Sequence, residues 1–257
     1  LDATGIVLQR EQLLQVFEQL AVALTCAAFL EGDTRVFPRQ VDQCGPFAAL
    51  RDDISPALSF VLGIGAYRSS EQVIRFVTTG VFRPAGSGRE IQLPPGPYGR
   101  WAFVLANAAR LDSPLDAHLL EEIARRRFHD SQADIGRLAE ELGPQGRAVL
   151  ALVENRDPVA VGKLIEALPD DLRKEIDALD LALYDLSRLR ADLILVHGKG
   201  DAMVPYSESQ DLAAAASKAR VSLFLVDDIG HVEFTSVSLA NGIGLWRAVL
   251  TMLNERR

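Results

Sequence analysis

Two segments of this 257-residue chain carry side chains that can do acid–base chemistry. The first follows the apolar run 193–196 and reads His197-Gly198-Lys199-Gly200-Asp201-Ala202-Met203-Val204-Pro205. The second follows the apolar run 221–226 and reads Asp227-Asp228-Ile229-Gly230-His231. Each run has the length and composition of a buried strand, and a helical pattern lies between them, so parallel neighbouring strands are expected. In open parallel sheets functional groups gather at the carboxyl ends of the strands. A carboxylate from one end and an imidazole from the next can then lie side by side. The carboxylate would hold one tautomer of the ring and stabilise its protonated form, which is the supporting half of a nucleophile–His–acid triad.

Plainer roles exist for the same residues. An aspartate in a Gly-rich turn commonly bonds the backbone N–H groups around it, and a Gly-His pair after a strand can be structural. Asp227 and Asp228 compete with Asp201 as acids for His231, and rank below it because adjacency in sequence rarely gives the side-on geometry. His197 is expected to be structural at the buried end of its strand, and His118 and His129 to be solvated in a helical block.

The order strand, His197-Gly198-x-x-Asp201-x-x-Val204-Pro205, helix, strand, Gly230-His231 resembles the C-terminal portion of the α/β-hydrolase superfamily. The resemblance is close over residues 191–257 and looser over 50–82. It implies an α/β fold: a partial parallel sheet with flanking helices and an inserted helical cap. Residues 1–67 and 191–257 would form the core, incomplete on its N-terminal side, and residues 68–190 the cap. Asp201 would be the triad acid and His231 the general base.

The family places its nucleophile on a Gly-x-Ser-x-Gly elbow, a sharp strand-to-helix turn. No such pentapeptide occurs in the chain. The elbow is expected one helix upstream of Phe60, between residues 34 and 46. There Cys44-Gly45 is the pairing with a usable nucleophile and a following glycine, and His231 would activate its thiol. No glycine stands two residues before Cys44, and the segment to Phe60 is short for a full helix, so a buried small apolar residue is the favoured reading of this cysteine.

The strands before the elbow are also missing. The sequence opens on Leu1 and its two methionines are Met203 and Met252, so it reads as a processed, trimmed or truncated product. It would be the back part of a longer protein, a shortened variant, or a module completed by another chain. An open sheet edge invites pairing, so a homodimer is expected.

The elements that must position these residues are legible in part. Leu13, Phe17, Leu20 and Leu24 give a helix over 9–24. Residues 31–58 show no clean period and read as loop with short elements. A strand is expected at 60–64, and a helix starting at Ser69-Ser70-Glu71 with Val73, Ile74 and Val77 behind it. Residues 83–99, rich in proline and glycine, read as an irregular excursion of the kind that is usually functional or mobile. Three helices are expected in the block that follows. Ile135, Leu138, Ala139 and Leu142 mark the first. Asp157-Pro158 caps the second, and the third runs from Leu172 to Leu186. Ser207-x-x-Gln210 reads as a capping box opening a helix to about Ala219. A last helix carries Leu239, Ile243, Trp246, Leu250 and Leu253.

Composition bounds the function. The chain is 48% hydrophobic and 24% charged, which is globular. A net charge of −8 and a pI near 5.1 disfavour a phosphate backbone as partner, hence no nucleic acid. The apolar run 20–30 is broken at Thr25 and too short to span a membrane, and no basic start precedes it. Cys26 and Cys44 cannot build a disulfide framework, so a reducing, cytoplasmic setting is expected. Gly63-x-Gly65 lacks a third glycine for a dinucleotide loop, and no phosphate-binding loop or metal-ligand motif is present, so neither cofactor nor metal is expected. The basic run Arg125-Arg126-Arg127 reads as a solvated helix face. The resemblance implies hydrolysis of a small-molecule carboxylic ester, with an apolar cap favouring acyl chains. The alternative is a catalytically inactive relative that binds or scaffolds.

Overall fold

The computed structural model describes residues 27–30, 45–52 and 55–227. Strand β1 (Ala27–Leu30) and the short helix α1 (Gly45–Leu50) precede a 3-10 turn and strand β2 (Leu58–Ile64). Helix α2 (Ser70–Thr79) leads into a small hairpin of β3 (Val81–Phe82) and β4 (Ile91–Gln92). Then come α3 (Gly99–Asn107), α4 (Pro114–His129), α5 (Gly136–Glu141), α6 (Pro144–Glu154), α7 (Val161–Glu166) and α8 (Asp170–Ala178). Two 3-10 turns return the chain to β5 (Asp192–Gly198), α9 (Ser207–Ala215) and β6 (Val221–Val226).

The main sheet has the order β1-β2-β5-β6. Strands β2, β5 and β6 are parallel, and β1 runs antiparallel to β2. This is an α/β fold built on a partial parallel sheet with flanking helices. Strands β2 and β5 are hydrogen-bonded neighbours although residues 65–191 lie between them. That segment therefore leaves the carboxyl end of β2 and comes back to the amino end of β5.

Strand β5 is buried from Leu193 to Gly198, which is why its sequence is a near-continuous apolar run rather than an alternation. Val61, Leu193 and Leu195 share a core with Ala49, Leu212 and Ala216 and with Leu181, Leu186 and Leu189 of the returning turns. Val196 and Val226 form a smaller cluster with Leu62 and Phe224. The helical segment has its own core around Trp101, Leu120, Ile123, Leu142, Leu152 and Val161.

Helix α2 starts where the sequence places it. Ser69 is extended and its hydroxyl accepts the Gln72 N–H at 3.4 Å, while Gly80, at φ 75°, closes the other end. Other expectations are corrected. Residues 83–99 are not wholly irregular, because Val81 pairs with Gln92 and Phe82 with Ile91. Asp157 does not cap α7 directly. It accepts the Val159 N–H at 2.9 Å, making a turn before a helix that begins at Val161.

Helix α8 stops at Ala178 instead of continuing to Leu186. Asp180 and Asp185 accept the N–H groups of Ala182 (2.8 Å) and Ser187 (3.1 Å), and these local bonds replace the helical ones with 3-10 turns. The Ser207–Gln210 capping box is absent: Tyr206 already has helical angles, φ −59° and ψ −19°, and no side chain caps α9. The Gln210 side chain accepts the Ala85 N–H instead. Arg125 and Arg126 lie on a solvated face paired with Glu121 and Glu122, but Arg127 is mostly buried beside Glu154. The helices expected over 9–24 and about 239–253 lie outside the described residues.

Candidate active site

Asp201 stands in the turn beyond the carboxyl end of β5 and is 3% exposed. Its Oδ1 accepts two backbone hydrogen bonds, from Met203 at 2.8 Å and Val204 at 2.9 Å. The expected turn role is therefore present, and it also fixes the carboxylate in one orientation. The other oxygen, Oδ2, lies 3.6 Å from His197 Nε2.

His197 is as deeply buried as the sequence implied, at 1% exposed. Its Nε2 is 3.0 Å from the Val204 carbonyl, and its Nδ1 is 2.7 Å from the Ser209 hydroxyl. Ser209 Oγ also reaches the Ala66 carbonyl at 2.8 Å. Ala66 follows Gly65, whose φ of 63° turns the chain sharply out of β2. One imidazole thus links the ends of β2 and β5 to the start of α9.

The proline- and glycine-rich excursion docks on the same turn. Gly96 donates its N–H to the Ala202 carbonyl at 2.8 Å. A Cβ at Gly99 would stand 2.8 Å from Met203 Cε and closer still to its sulfur. A side chain there would have to push the Met203 thioether aside, so glycine is favoured by close approach, not by backbone angle. On the far side of the turn, Lys199 pairs with Asp227 at 2.9 Å and its N–H bonds the Val226 carbonyl at 2.8 Å. Asp227 is exposed and engaged by that lysine.

Glu208, in the first turn of α9, is 2% exposed. Its Oε2 accepts the N–H groups of Ser69 (2.7 Å) and Arg68 (3.1 Å) across the sheet end. Burial pushes its carboxyl up to about 7. The two backbone donors oppose that rise, while nearby Asp211 and Asp180 add to it. Burial also raises the Asp211 carboxyl, with Arg68 opposing.

The structure brings Asp201 and His197 together at the end of β5. His118 and His129 are exposed on α4. His231, Cys44 and Asp228 lie outside the described residues. Among the described residues no group of three His, Cys, Asp or Glu side chains could hold a metal ion, and no helix is long and apolar enough to cross a membrane. Ser209 and Glu208 escaped the sequence reading. The available signal was a polar Ser-Glu-Ser start to α9, directly after the Asp201 turn.

A shallow depression lined by Asp52, Ser55, Asp185, Arg188 and Lys218 lies elsewhere. Its residues precede the amino ends of β2, β5 and β6, opposite to Asp201.

No protein-family profile matches the chain. A pimeloyl-(acyl-carrier protein) methyl ester esterase from Aromatoleum aromaticum is 36% identical over 90 residues. The chain resembles the α/β-hydrolase superfamily. That match covers 35% of this chain and 31% of the esterase, so the aligned part spans about a third of the curated relative. Among solved structures, the meta-cleavage product hydrolase of Pseudomonas fluorescens is 18% identical with a TM-score of 0.34, over 83% of this chain and 62% of that one.

Proposed function

We propose that the protein hydrolyses carboxylic esters through Asp201, His231 and a nucleophile for which Cys44 is the candidate. The observation that carries this reading is the Asp201 carboxylate, buried and fixed by two N–H donors at a carboxyl strand end. Gly198 pairs with Val226, and Lys199 holds Asp227 beside the same turn. His231 comes four residues later, a reach of at most about 14 Å at about 3.5 Å per residue. The likeness to a methyl ester esterase supports an ester of a small alcohol as the substrate class. The helical segment 68–190 acts as the cap, consistent with its separate core and with the contact of Gly96 and Gly99 against the Asp201 turn.

In this mechanism His231 takes the thiol proton of Cys44, and the thiolate adds to the ester carbonyl. The bond from carbonyl carbon to alkoxy oxygen breaks, and the alcohol leaves with the proton returned by His231. Water then adds to the thioester with the same proton relay, releasing the acid and restoring the thiol. Asp201 stabilises the imidazolium formed in both halves. Helix α1 begins at Gly45, the residue after Cys44, and a helix directly after the nucleophile is one feature of the family's elbow.

The test is turnover of a short-chain nitrophenyl ester. Asp201→Asn and His231→Ala should each lose about a hundredfold or more in kcat/KM. A thiol-directed reagent should label Cys44 and abolish turnover. The absence of Gly-x-Ser-x-Gly favours a second reading, a non-catalytic relative that binds small acyl molecules. Equal turnover by the wild type and both variants would remove the enzyme reading and leave that one.

A further inference from the structure

We propose that His197 is a positioning residue for Asp201, acting through Val204 and held in turn by Ser209. The inference rests on the ester-hydrolase reading above for its kinetic consequence, though not for its geometry. Val204 joins the two side chains through its peptide groups. Its N–H donates to Asp201 Oδ1 at 2.9 Å, and its carbonyl faces His197 Nε2 at 3.0 Å. Whatever fixes Val204 therefore fixes one of the two donors that orient the carboxylate.

The ring is pinned at both nitrogens. The Val204 carbonyl has no proton to give, so Nε2 carries one and donates it. At the other nitrogen, the Ser209 hydroxyl lies 2.7 Å from Nδ1 and 2.8 Å from the Ala66 carbonyl. A hydroxyl has one proton and can satisfy only one of them as donor. Turned toward Nδ1, it fixes the ring with Nε2–H facing Val204. Turned toward Ala66, it accepts from Nδ1, and the ring then donates from both nitrogens with the Asp201 carboxylate 3.6 Å away as its counter-ion. In either arrangement Nε2–H points at the Val204 carbonyl.

Burial makes the arrangement strict. Ser209 is 0% exposed, His197 1% and Asp201 3%, so water cannot replace a missing partner without opening the core. Because Ser209 belongs to α9 and Ala66 to the exit from β2, the network sets the Asp201 turn against the rest of the sheet. A histidine at this position therefore does more than fill space at the end of a strand.

The test pairs kinetics with amide exchange. Ser209→Ala should lower kcat for a short-chain nitrophenyl ester about tenfold, and His197→Phe about a hundredfold, each with KM within about twofold. In an Asp201→Asn background the same changes should cost less than about threefold, because a residue acting through Asp201 has nothing left to act on. His197→Gln, which keeps a donor near the Val204 carbonyl, should recover part of the loss. Independently of turnover, the Met203 and Val204 amides should lose hydrogen-exchange protection about tenfold or more in Ser209→Ala, while those of β5 stay protected.

Full multiplicative losses in the Asp201→Asn background, or unchanged protection of Met203 and Val204, would overturn the proposal. A wild-type protein without esterase turnover would instead sink the hydrolase reading. The exchange measurement would still decide the role of His197.

Discussion

Glu208 and Ser69 meet where the helical segment leaves the sheet: Glu208 Oε2 accepts the Ser69 backbone N–H at 2.7 Å, 139 residues away in sequence. Ser69 also caps α2 with its hydroxyl, and that hydroxyl lies 3.3 Å from Asp180 Oδ2 on the returning side of the excursion. Outgoing and returning chains are thus tied to the start of α9 at one point. Phe82 reinforces the seam, edge-on to Phe76 at 5.6 Å and to Tyr206 at 5.4 Å.

A carboxyl raised from 4.5 to about 7 by burial makes this junction sensitive to pH. The folded chain holds the Glu208 proton to a higher pH than the unfolded chain does. Its contribution to stability is therefore fully present below about 4.5 and is lost as pH rises through about 7. At about 1.4 kcal/mol per pH unit the swing is about 3 kcal/mol. Glu208→Gln keeps an acceptor for Ser69 and cannot ionise, so its melting temperature should fall less between pH 5 and pH 8 than that of the wild type. Parallel melting curves for the two proteins would refute the assignment.

The helical segment has a second buried carboxylate with a different task. Asp116 is 1% exposed on α4, and it accepts the N–H groups of Gly143 at 2.5 Å and Gly146 at 2.9 Å at the start of α6. Those are orphan donors of a helix N-terminus, where negative charge is also favoured. Asp116→Ala would leave the buried Gly146 N–H without an acceptor, at about 1–3 kcal/mol, and the half-buried Gly143 N–H at less. Urea denaturation should show a loss of that order, with Asp116→Asn intermediate. Gly143→Ala should destabilise by the same route, since its Cβ would lie 2.8 Å from Asp116 Oδ2. A wild-type midpoint for Asp116→Ala would contradict the clasp.

These residues show what the sequence made legible. Strand β5 could be read because burial on both faces leaves an uninterrupted apolar run, and Asp201 because that run ends in a Gly-rich turn. Strand β1 could not: its Ala-Ala-Phe-Leu sits inside a longer apolar stretch without a period, and its pairing with β2 is a tertiary choice. Leucines at helical spacing carry the expected helix past Ala178 to Leu186, because they hide the competing side-chain bonds of Asp180 and Asp185. Glu208 and Ser209 looked like ordinary polar residues at a helix start. Their burial comes from Ala66, Arg68 and Ser69, more than a hundred residues upstream, and no local pattern encodes that contact.

The contact of Gly96 and Gly99 with the Asp201 turn gives the sharpest separation of site from stability. Gly99 opens α3, and Met203 lies against it where any Cβ would intrude. Gly99→Ala must therefore shift Met203, whose N–H is one of the two donors to Asp201 Oδ1. The thioether is flexible and can yield, so the cost in folding should be small, about 1 kcal/mol. Where the shift passes from the Met203 side chain to its backbone N–H, a donor to the proposed triad acid, it should cost more in catalysis, about tenfold in kcat for a nitrophenyl ester with little change in KM. Met203→Ala in the Gly99→Ala background removes the collision while keeping the backbone N–H, so it should restore most of the lost turnover. If Gly99→Ala lowers melting temperature without touching kcat, the excursion only packs on the turn and does not help to hold Asp201.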